Sequence, residues 1–496
     1  MTTDRKSEED QGPGLEERVR GAVLWRSGSQ VVAQIVAWAS TFLVIRLLEP
    51  SDYGLFAMSQ VVLVFLNLMN GHGFASALVQ SESIDGRRIA QAFGMLLLLN
   101  GALALVQLLT APLVAAYFRQ PALVDMLRVQ ALLYAATPFI ALPSALLSRE
   151  IDFRRQAKVN LVSAFLAAAT ALGCALWGFG VWSLVAAPIV LFWSRAIGLT
   201  LMTRWLVWPS FRFADAGGML GYGGALVLVQ FFWFLQSQAD VFIAGRRLGT
   251  HELGLYTTAL FLTQILAAKF VPPLNEVAFA AYSRIQADRG RMALAFVRAT
   301  RLIMLIALPF YLGLAVTAEP LVLTMLGPKW VETIAIVPIL ALAMPFLTLQ
   351  ILFAPATNAT GQARIAIRTG AAGAVLLPLA FLIGVRFGIL GLAYGWLVGM
   401  ILLTAVTAML SRAAISLDLG AVARAVKPGL LASTAMAALI LSLDSLLPPM
   451  PPQPRLALLV FTGVAVYAGL LLAFARPLVL ELIGMIRSRS PAAATA

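Results

Sequence analysis

Histidine, cysteine and acidic side chains are scarce in this chain. Its 496 residues include 2 histidines, 1 cysteine and 23 acidic residues, and charged residues of both signs make up only 12 %. Cys174 lies in an apolar stretch and the two histidines have no zinc-ligand spacing, so we expect no metal centre and no disulfide. A soluble domain of this length needs far more charge to cover its surface.

Signatures of catalysis are absent as well. The sequence has no glycine-rich phosphate loop of the Walker type, so we expect no ATP hydrolysis by this chain. The polar segments between the apolar stretches are short, which leaves little room for the carboxylates and histidines of acid–base chemistry. The sequence therefore predicts a protein that is not an enzyme and that holds no cofactor.

Apolar sequence, by contrast, is abundant. Hydrophobic residues make up 60 % of the chain, and turns or charges divide it into about fourteen stretches of roughly 20 residues, the length that crosses a bilayer. The stretches lie near 20–47, 54–80, 88–117, 123–148, 157–178, 180–204, 218–246, 252–284, 291–317, 330–358, 364–385, 388–411, 421–446 and 455–486. Glycine-containing breaks at 177–180 and 386–388 separate the closest pairs. We therefore expect an all-α polytopic membrane protein.

Positive charge is distributed unevenly between alternate loops. With the N-terminus in the cytoplasm, the loops on that side hold most of the basic residues, among them Arg87, Arg88, Arg154, Arg155, Lys158, Arg284, Arg289, Arg291, Arg424 and Lys427. Positive residues favour the cytoplasmic side, so we predict both termini there. The net charge of +13 then follows from topology, and its scatter over short loops argues against a nucleic-acid partner.

A repeat links the two halves of the chain. Residues of one loop recur 200 positions later, where Arg46, Leu48, Gly54 and Leu55 become Arg246, Leu248, Gly254 and Leu255. A second match, at an offset of 208, relates 179–180 to 387–388. Because an even number of helices separates the copies, the halves are predicted to be parallel repeats with substrate bound between them. The alternative is a chance match among common apolar residues.

The repeat divides the chain into six segments. They are 1–19, a cytoplasmic N-terminal segment; 20–204, an N-lobe of helices 1–6; 205–217, a cytoplasmic linker; 218–411, a C-lobe of helices 7–12; 421–486, two appended helices; and 487–496, a cytoplasmic tail. The predicted architecture is two parallel six-helix repeats around a central cavity plus two C-terminal helices.

Several motifs resemble those of a known family. They are Arg-Leu-Leu-Glu-Pro-Ser-Asp-Tyr-Gly-Leu-Phe at 46–56, Gly-Phe-Ala-Ser-Ala-Leu-Val-Gln at 73–80, Gln-Ala-Asp-Val-Phe-Ile-Ala-Gly at 238–245 and Ala-Tyr-Ser-Arg-Ile-Gln at 281–286. Across residues 20–415 the chain resembles the polysaccharide transporter (Wzx-type) flippases of the multidrug/oligosaccharidyl-lipid/polysaccharide exporter superfamily. One departure is Phe279-Ala-Ala, where many relatives have a proline, so the bend expected there lacks its cause.

The resemblance implies two helical lobes around a central cavity. It also implies transbilayer movement of an undecaprenyl-diphosphate-linked oligosaccharide in a bacterial inner membrane, with membrane lipids, a polysaccharide polymerase and export machinery as further partners. Two alternatives are a drug/cation antiporter of the same superfamily and a membrane glycosyltransferase or polymerase. An antiporter of cationic drugs favours an acidic, aromatic cavity, whereas the intramembrane charges here are mainly cationic; the enzymes need larger polar loops.

Polar residues inside the apolar stretches point to the same substrate chemistry. Such residues normally face a protein interior or a water-filled cavity, and the cavity candidates are Arg26, Gln30, Gln34, Gln230, Lys269, Arg298 and Arg301. Arginine binds phosphate through charge-assisted hydrogen bonds, while amides suit sugar hydroxyls. The three arginines are near predicted cytoplasmic helix ends, so the alternative is that they reach lipid phosphates. Lys269 is too central for that.

Two acidic residues in apolar stretches have two possible roles. Asp240 and Glu276 either bind a coupling cation or form structural pairs. The pairing partners available in the sequence are Arg246 or Lys269 for Asp240, and Lys269 for Glu276. We favour a structural pair for Asp240 and leave both roles open for Glu276.

Overall fold

The structure, a computed structural model, describes residues 15–68, 86–149, 153–203, 207–211, 224–474 and 476. In these ranges the chain is helical apart from turns and short connections, and it contains no strand. The chain forms two compact units, Met1–Val227 and Leu228–Ala496.

The described part of the first unit contains seven helices that precede residue 204. They are α1 (Leu15–Leu47), α2 (Pro50–Asn67), α3 (Gly86–Phe118), α4 (Ala122–Gln130), α5 (Leu132–Arg149), α6 (Phe153–Leu176) and α7 (Trp182–Thr203). Between α6 and α7, Gly178 and Gly180 adopt φ values of 79° and 53°, a conformation that only glycine takes readily. This confirms the break predicted at 177–180.

Nine further helices are described from residue 224 onward. They are α8 (Gly224–Arg247), α9 (Thr250–Arg284), α10 (Arg289–Val316), α11 (Ala318–Met325), α12 (Val337–Ala359), α13 (Ala363–Gly384), α14 (Gly388–Ser411), α15 (Leu419–Leu446) and α16 (Pro452–Phe474), with 3-10 segments at Pro328–Ala335 and Val385–Phe387. Gly388, at φ 72°, separates α13 from α14 and confirms the break predicted at 386–388. Helix α9 runs without interruption past Phe279, where the sequence lacks the expected proline.

Eleven segments of the described chain are long and apolar enough to cross a membrane. One of them, Arg364–Ser411, has 48 residues and contains both α13 and α14, in agreement with the two stretches predicted there. Several predicted stretches extend into residues outside the described ranges, chiefly 54–80, 218–246 and 455–486. The predicted class, an all-α polytopic membrane protein, is confirmed, while the number of fourteen helices stays a prediction.

The described part of the predicted linker, residues 207–211, lies against α3. The Ser210 N–H donates to the Ala90 carbonyl at 2.9 Å. A Cβ atom on Gly94, one turn further along α3, would collide with the Ser210 carbonyl oxygen. Glycine at position 94 is therefore what lets the connecting chain follow the surface of the first unit.

Side chains bond two of the carbonyls that prolines release within long helices. A proline has no N–H, so the carbonyl four residues earlier loses its helical donor. Pro309 releases the Leu305 carbonyl in this way, and the Tyr467 hydroxyl donates to it at 2.7 Å. Pro355 of α12 releases the Ile351 carbonyl, and Asn275 Nδ2 of α9 donates to that carbonyl at 3.3 Å. These bonds connect α16 to α10 and α9 to α12.

An arginine also anchors the α15–α16 hairpin to α11. Arg455 donates through Nε and Nη2 to the two carboxylate oxygens of Asp444, at 2.7 and 2.8 Å, and through Nη2 to Glu319 at 3.1 Å. Bidentate pairing of this kind is both strong and directional. Within the second unit, α15 and α16 are thus fixed to α11 beside the proline-rich turn at 448–452.

Helices α13 and α14 pack with their backbones in contact. A Cβ atom on Gly384 or on Gly391 would collide with the carbonyl oxygen of the other residue, and one on Gly395 would lie 2.9 Å from the Ala380 carbonyl oxygen. Gly391, Gly395 and Gly399 are spaced four apart and so occupy one face of α14. Small residues permit this close approach in membranes, where packing rather than the hydrophobic effect holds helices together.

Substituting Gly391 is expected to separate these two helices. The alanine methyl has no room against a backbone carbonyl, so Gly391→Ala should destabilise the protein by about 1–3 kcal/mol or more, measured as a lower thermal midpoint in detergent. Gly469→Ala in α16 is the matched control, because a Cβ there meets nothing within 4 Å. Its midpoint should stay unchanged or rise, since alanine is the better helix former. Equal midpoints for both variants would contradict the close packing.

Candidate functional site

The predicted site residues of the first unit lie on α1. Gln30 is exposed and Gln34 is half-buried, and their four-residue spacing places both on one face of the helix. The side chain of Arg26 lies outside the described part of the structure. Further along α1, the Ser40 hydroxyl donates to the Ala168 carbonyl of α6 at 3.4 Å, which joins the two helices.

The corresponding residues of the second unit lie on α8. Gln230, the repeat partner of Gln30, is exposed as well. One and a half turns later, Gln236 Nε2 donates to the carbonyls of Phe232 and Gly370, each at 3.1 Å. The second bond joins α8 to α13, as Ser40 joins α1 to α6. Each unit thus has a first helix with an exposed glutamine and, deeper, a side-chain bond to a neighbouring helix.

Asp240 is the centre of a buried hydrogen-bond network in the second unit. Its side chain is 0 % exposed. The Tyr256 hydroxyl of α9 donates to Oδ2 at 2.7 Å, and Trp396 Nε1 of α14 donates to the same oxygen at 3.1 Å. The Val241 N–H donates to Oδ1 at 2.7 Å. A single carboxylate therefore connects three helices through neutral donors.

The partners of Asp240 differ from those expected from the sequence. Among the described residues no lysine or arginine lies within ion-pair distance of it, so the pair with Arg246 or Lys269 is not the arrangement formed. The physical reason is that three hydrogen bonds from neutral groups already satisfy both oxygens. The favoured reading of Asp240 as a structural partner stays a prediction.

The residues of this network are different at the repeat-related positions of the first unit. At the repeat offsets of 200 and 208, the positions of Asp240, Tyr256 and Trp396 are held by Ser40, Phe56 and Pro188. Phenylalanine has no hydroxyl and proline has no indole N–H, so neither could donate to an acid. The sequence repeat therefore does not extend to the buried acid and its donors.

Lys269 and Glu276 lie on α9 as isolated charges. Both side chains are exposed, and in the described part of the chain neither forms an ion pair or hydrogen bond with a protein group. The alternative in which Lys269 pairs with Glu276 is thus not formed. Pro272 and Pro273 lie between them, so the carbonyls one turn earlier lack their helical donors. This part of α9 therefore combines a cation, a carboxylate and backbone acceptors.

Arg298 and Arg301 are neighbours on α10. Arg298 is exposed and Arg301 is half-buried, and three-residue spacing places them side by side on the helix surface. Both take part in interactions within the protein. That Arg298 and Arg301 contact the substrate stays a prediction.

Three polar residues within these helices were not among the site residues predicted from the sequence. Tyr256 and Trp396 bond Asp240, and no sequence spacing reveals that contact because the residues lie 16 and 156 positions away. Arg195 is different, because its signal was present: it is the single charged residue in the sequence of α7. The rule that selected Lys269, a cation within an apolar span, selects Arg195 as well.

The polar groups on these helices are suited to binding rather than to covalent chemistry. Amides, guanidinium groups and one ammonium donate hydrogen bonds to anions and hydroxyls. Across the described residues, no group of three or more His, Cys, Asp or Glu side chains is placed to hold a metal ion.

Comparisons with known proteins relate the chain to polysaccharide biosynthesis. A family model described as "Polysaccharide biosynthesis protein" matches residues 43–335. The chain is 27 % identical over 455 residues to the succinoglycan biosynthesis transport protein ExoT of Rhizobium meliloti, covering 91 % of this chain and 92 % of that protein. It is 22 % identical to the teichuronic acid biosynthesis protein TuaB of Bacillus subtilis, covering 78 % and 81 % of the two chains.

Two solved structures have a similar fold. The lipid II flippase MurJ in an inward closed conformation matches with a TM-score of 0.75 and 12 % identity, over 92 % of this chain and 100 % of that one. An inward-facing multidrug resistance MATE family transporter matches with a TM-score of 0.60 and 16 % identity, over 80 % and 98 % of the chains. At these identities the similarity is one of fold.

Proposed function

The chain belongs to the polysaccharide biosynthesis protein family, and from this membership we propose that it is a lipid-linked oligosaccharide flippase. It translocates undecaprenyl-diphosphate-linked repeat units across the bacterial cytoplasmic membrane, for export of an exopolysaccharide, capsule or O-antigen. The lipid tail stays in the bilayer, while the diphosphate and glycan pass through a polar path inside the protein.

The similarity to a succinoglycan biosynthesis transport protein over nine-tenths of both chains carries this proposal. The chemistry of the intramembrane residues supports it independently. A lipid diphosphate presents anionic oxygens and a glycan presents hydroxyls, and Gln30, Gln230, Lys269 and the arginines of α10 are donors to such groups. A cationic path is also the reason to prefer this function over antiport of cationic drugs.

The architecture that goes with this function is the one expected from the repeat. It comprises fourteen helices as two parallel six-helix lobes, 20–204 and 218–411, around a central cavity, with a linker at 205–217 and two appended helices at 421–486. The segments 1–19 and 487–496 are cytoplasmic. The lobes rock to expose the cavity to each side in turn, and a polymerase and export machinery receive the product.

Membrane potential contributes to the driving force in this scheme. The substrate carries negative charge, and an inside-negative potential favours its outward passage by about 2.3 kcal/mol per charge per 100 mV. A potential of this sign would oppose outward transport of a cation. The negative charge of the substrate thus makes the membrane potential favour export over import.

Deleting the gene is expected to abolish a surface or secreted polysaccharide and to leave lipid-linked repeat units on the cytoplasmic face of the membrane. The physical reason is that a charged headgroup does not cross an apolar bilayer unaided. Extraction of lipid-linked intermediates and quantification of exported glycan measure both effects, and plasmid-borne wild type should restore export. Normal glycan export combined with a changed drug sensitivity would favour the antiporter, and repeat units that fail to form would favour the glycosyltransferase.

A further inference from the structure

Arg195 lies deep within α7. The helix runs from Trp182 to Thr203, and Arg195 is the single charged residue in its sequence. At 1.5 Å per residue it is about 12 Å from the C-terminal end of the helix and about 20 Å from the N-terminal end. A guanidinium group at this depth is retained only if something in its surroundings stabilises the charge.

The side of α7 that carries Arg195 faces protein rather than lipid. Leu199, four residues later and therefore on the same face, is 1 % exposed and packs against Leu147 of α5 and Val159 of α6. Ile197 and Leu201, on the opposite face, are 55 % and 70 % exposed. Arg195 is thus directed toward the interior of the first unit.

The contact between α6 and α7 shows which residue of α6 lies at the same height along the helix axes as Arg195. Val159 Cγ1 lies 2.7 Å from the position a Cβ on Gly198 would take, so these two residues are at one level. One turn deeper, Arg195 on α7 comes level with Ser163 on α6, which is 1 % exposed. A buried serine thus lies at the same height as the cation.

No protein group in the described ranges neutralises Arg195. Its Nε is buried and has no hydrogen-bond partner, and no described carboxylate lies within ion-pair distance. In a helix the side chain leans toward the N-terminal end, here away from the nearer, C-terminal end. The guanidinium is therefore inclined away from the nearer membrane surface, which is where phospholipid headgroups lie.

We propose that Arg195 binds a phosphate of the lipid-linked substrate inside the first unit. The proposal rests on the proposed function and deepens it by naming a contact for the diphosphate outside the second unit, where Lys269, Arg298 and Arg301 lie. The Nε–H and the adjacent Nη–H form a planar fork that matches two phosphate oxygens. The hydroxyl of Ser163, at the same height on α6, is a donor for a further phosphate oxygen.

Lipid binding to the purified full-length protein tests this assignment. Thermal midpoints in maltoside micelles are measured across titrations of undecaprenyl diphosphate, undecaprenol and phosphatidylglycerol. Undecaprenyl diphosphate should stabilise the wild type, and Arg195→Gln should weaken its apparent affinity at least about tenfold, the loss expected for hydrogen bonds to a charged group. Arg195→Lys should keep part of the affinity because the charge remains. Arg412→Gln, the same change at an exposed position, should bind as the wild type does.

Each outcome supports or overturns a distinct statement. Equal affinity of wild type and Arg195→Gln for the diphosphate would overturn the role of Arg195 and leave the flippase proposal standing. Failure of undecaprenyl diphosphate to stabilise the wild type would count against the flippase proposal itself. Equal, Arg195-dependent stabilisation by phosphatidylglycerol would assign the residue to bulk lipid instead. A large fall in the unliganded midpoint of Arg195→Gln would assign it a structural role.

Discussion

Replacing Lys269 by alanine is expected to reduce polysaccharide export strongly, while the amount of protein in the membrane stays normal. Lys269 is at position 20 of the 35 residues of α9, so neither membrane surface is near, and on insertion scales a mid-membrane ammonium costs about 2.5–3.5 kcal/mol. Its side chain is exposed and has no protein partner in the described ranges. Removing it should therefore leave the fold intact or stabilise it, and any loss of export reports on the substrate path.

A second substitution at position 269 distinguishes the effect of the positive charge from that of the shape of the donor group. Lys269→Arg should keep partial export, because the charge survives while the shape of the donor changes. Alanine at Arg26, Arg298 or Arg301 should give graded losses if these residues line the entry path, and little loss if they only anchor to lipid phosphates. The measurement is exported glycan per molecule of protein. If Lys269→Ala and the double variant Arg298→Ala/Arg301→Ala both export glycan as the wild type does, the hypothesis that these residues of the second unit bind the headgroup is wrong.

The breaks between helices were predictable because they depend on local chemistry. Gly178, Gly180 and Gly388 adopt positive φ, which other residues avoid, so a glycine between two apolar stretches marks an interruption whatever surrounds it. The turn at 448–452 depends on prolines, which cannot continue a helix. Composition alone was sufficient for the membrane class, because so few charges cannot cover a water-exposed surface.

The contacts between helices were not predictable in the same way. Asp240 was recognised from the sequence as an acid within an apolar stretch, but its donors are brought to it by the packing of α9 and α14, which helical periodicity does not specify. The same is true of the Tyr467 hydroxyl on the Leu305 carbonyl. Pro309 indicates that a carbonyl has been released, but not which side chain will bond it. Arg195 was within reach of sequence reasoning, since a lone cation in an apolar helix needs no structure to be noticed.

Asp240 provides the other large expected effect, which is on folding. Asp240→Ala leaves the Tyr256 hydroxyl and the Trp396 indole N–H without their acceptor. A buried donor without a partner costs about 1–3 kcal/mol, so the loss approaches the 5–15 kcal/mol that typically stabilises a whole domain. We expect the variant to accumulate poorly and to melt well below the wild type in detergent.

Two milder substitutions separate a structural Asp240 from one that couples transport to an ion. Asp240→Asn has one acceptor oxygen where three donors converge, and Tyr256→Phe removes only the donor at 2.7 Å. If the network is structural, both variants melt lower, Tyr256→Phe by less, and each folded molecule exports as much glycan as the wild type. Tyr394→Phe, at an exposed position of α14, is the matched control and should leave the midpoint unchanged. Normal melting of Asp240→Asn with export lost would instead make the carboxylate a coupling site, because only the exchange of charge would then have been removed.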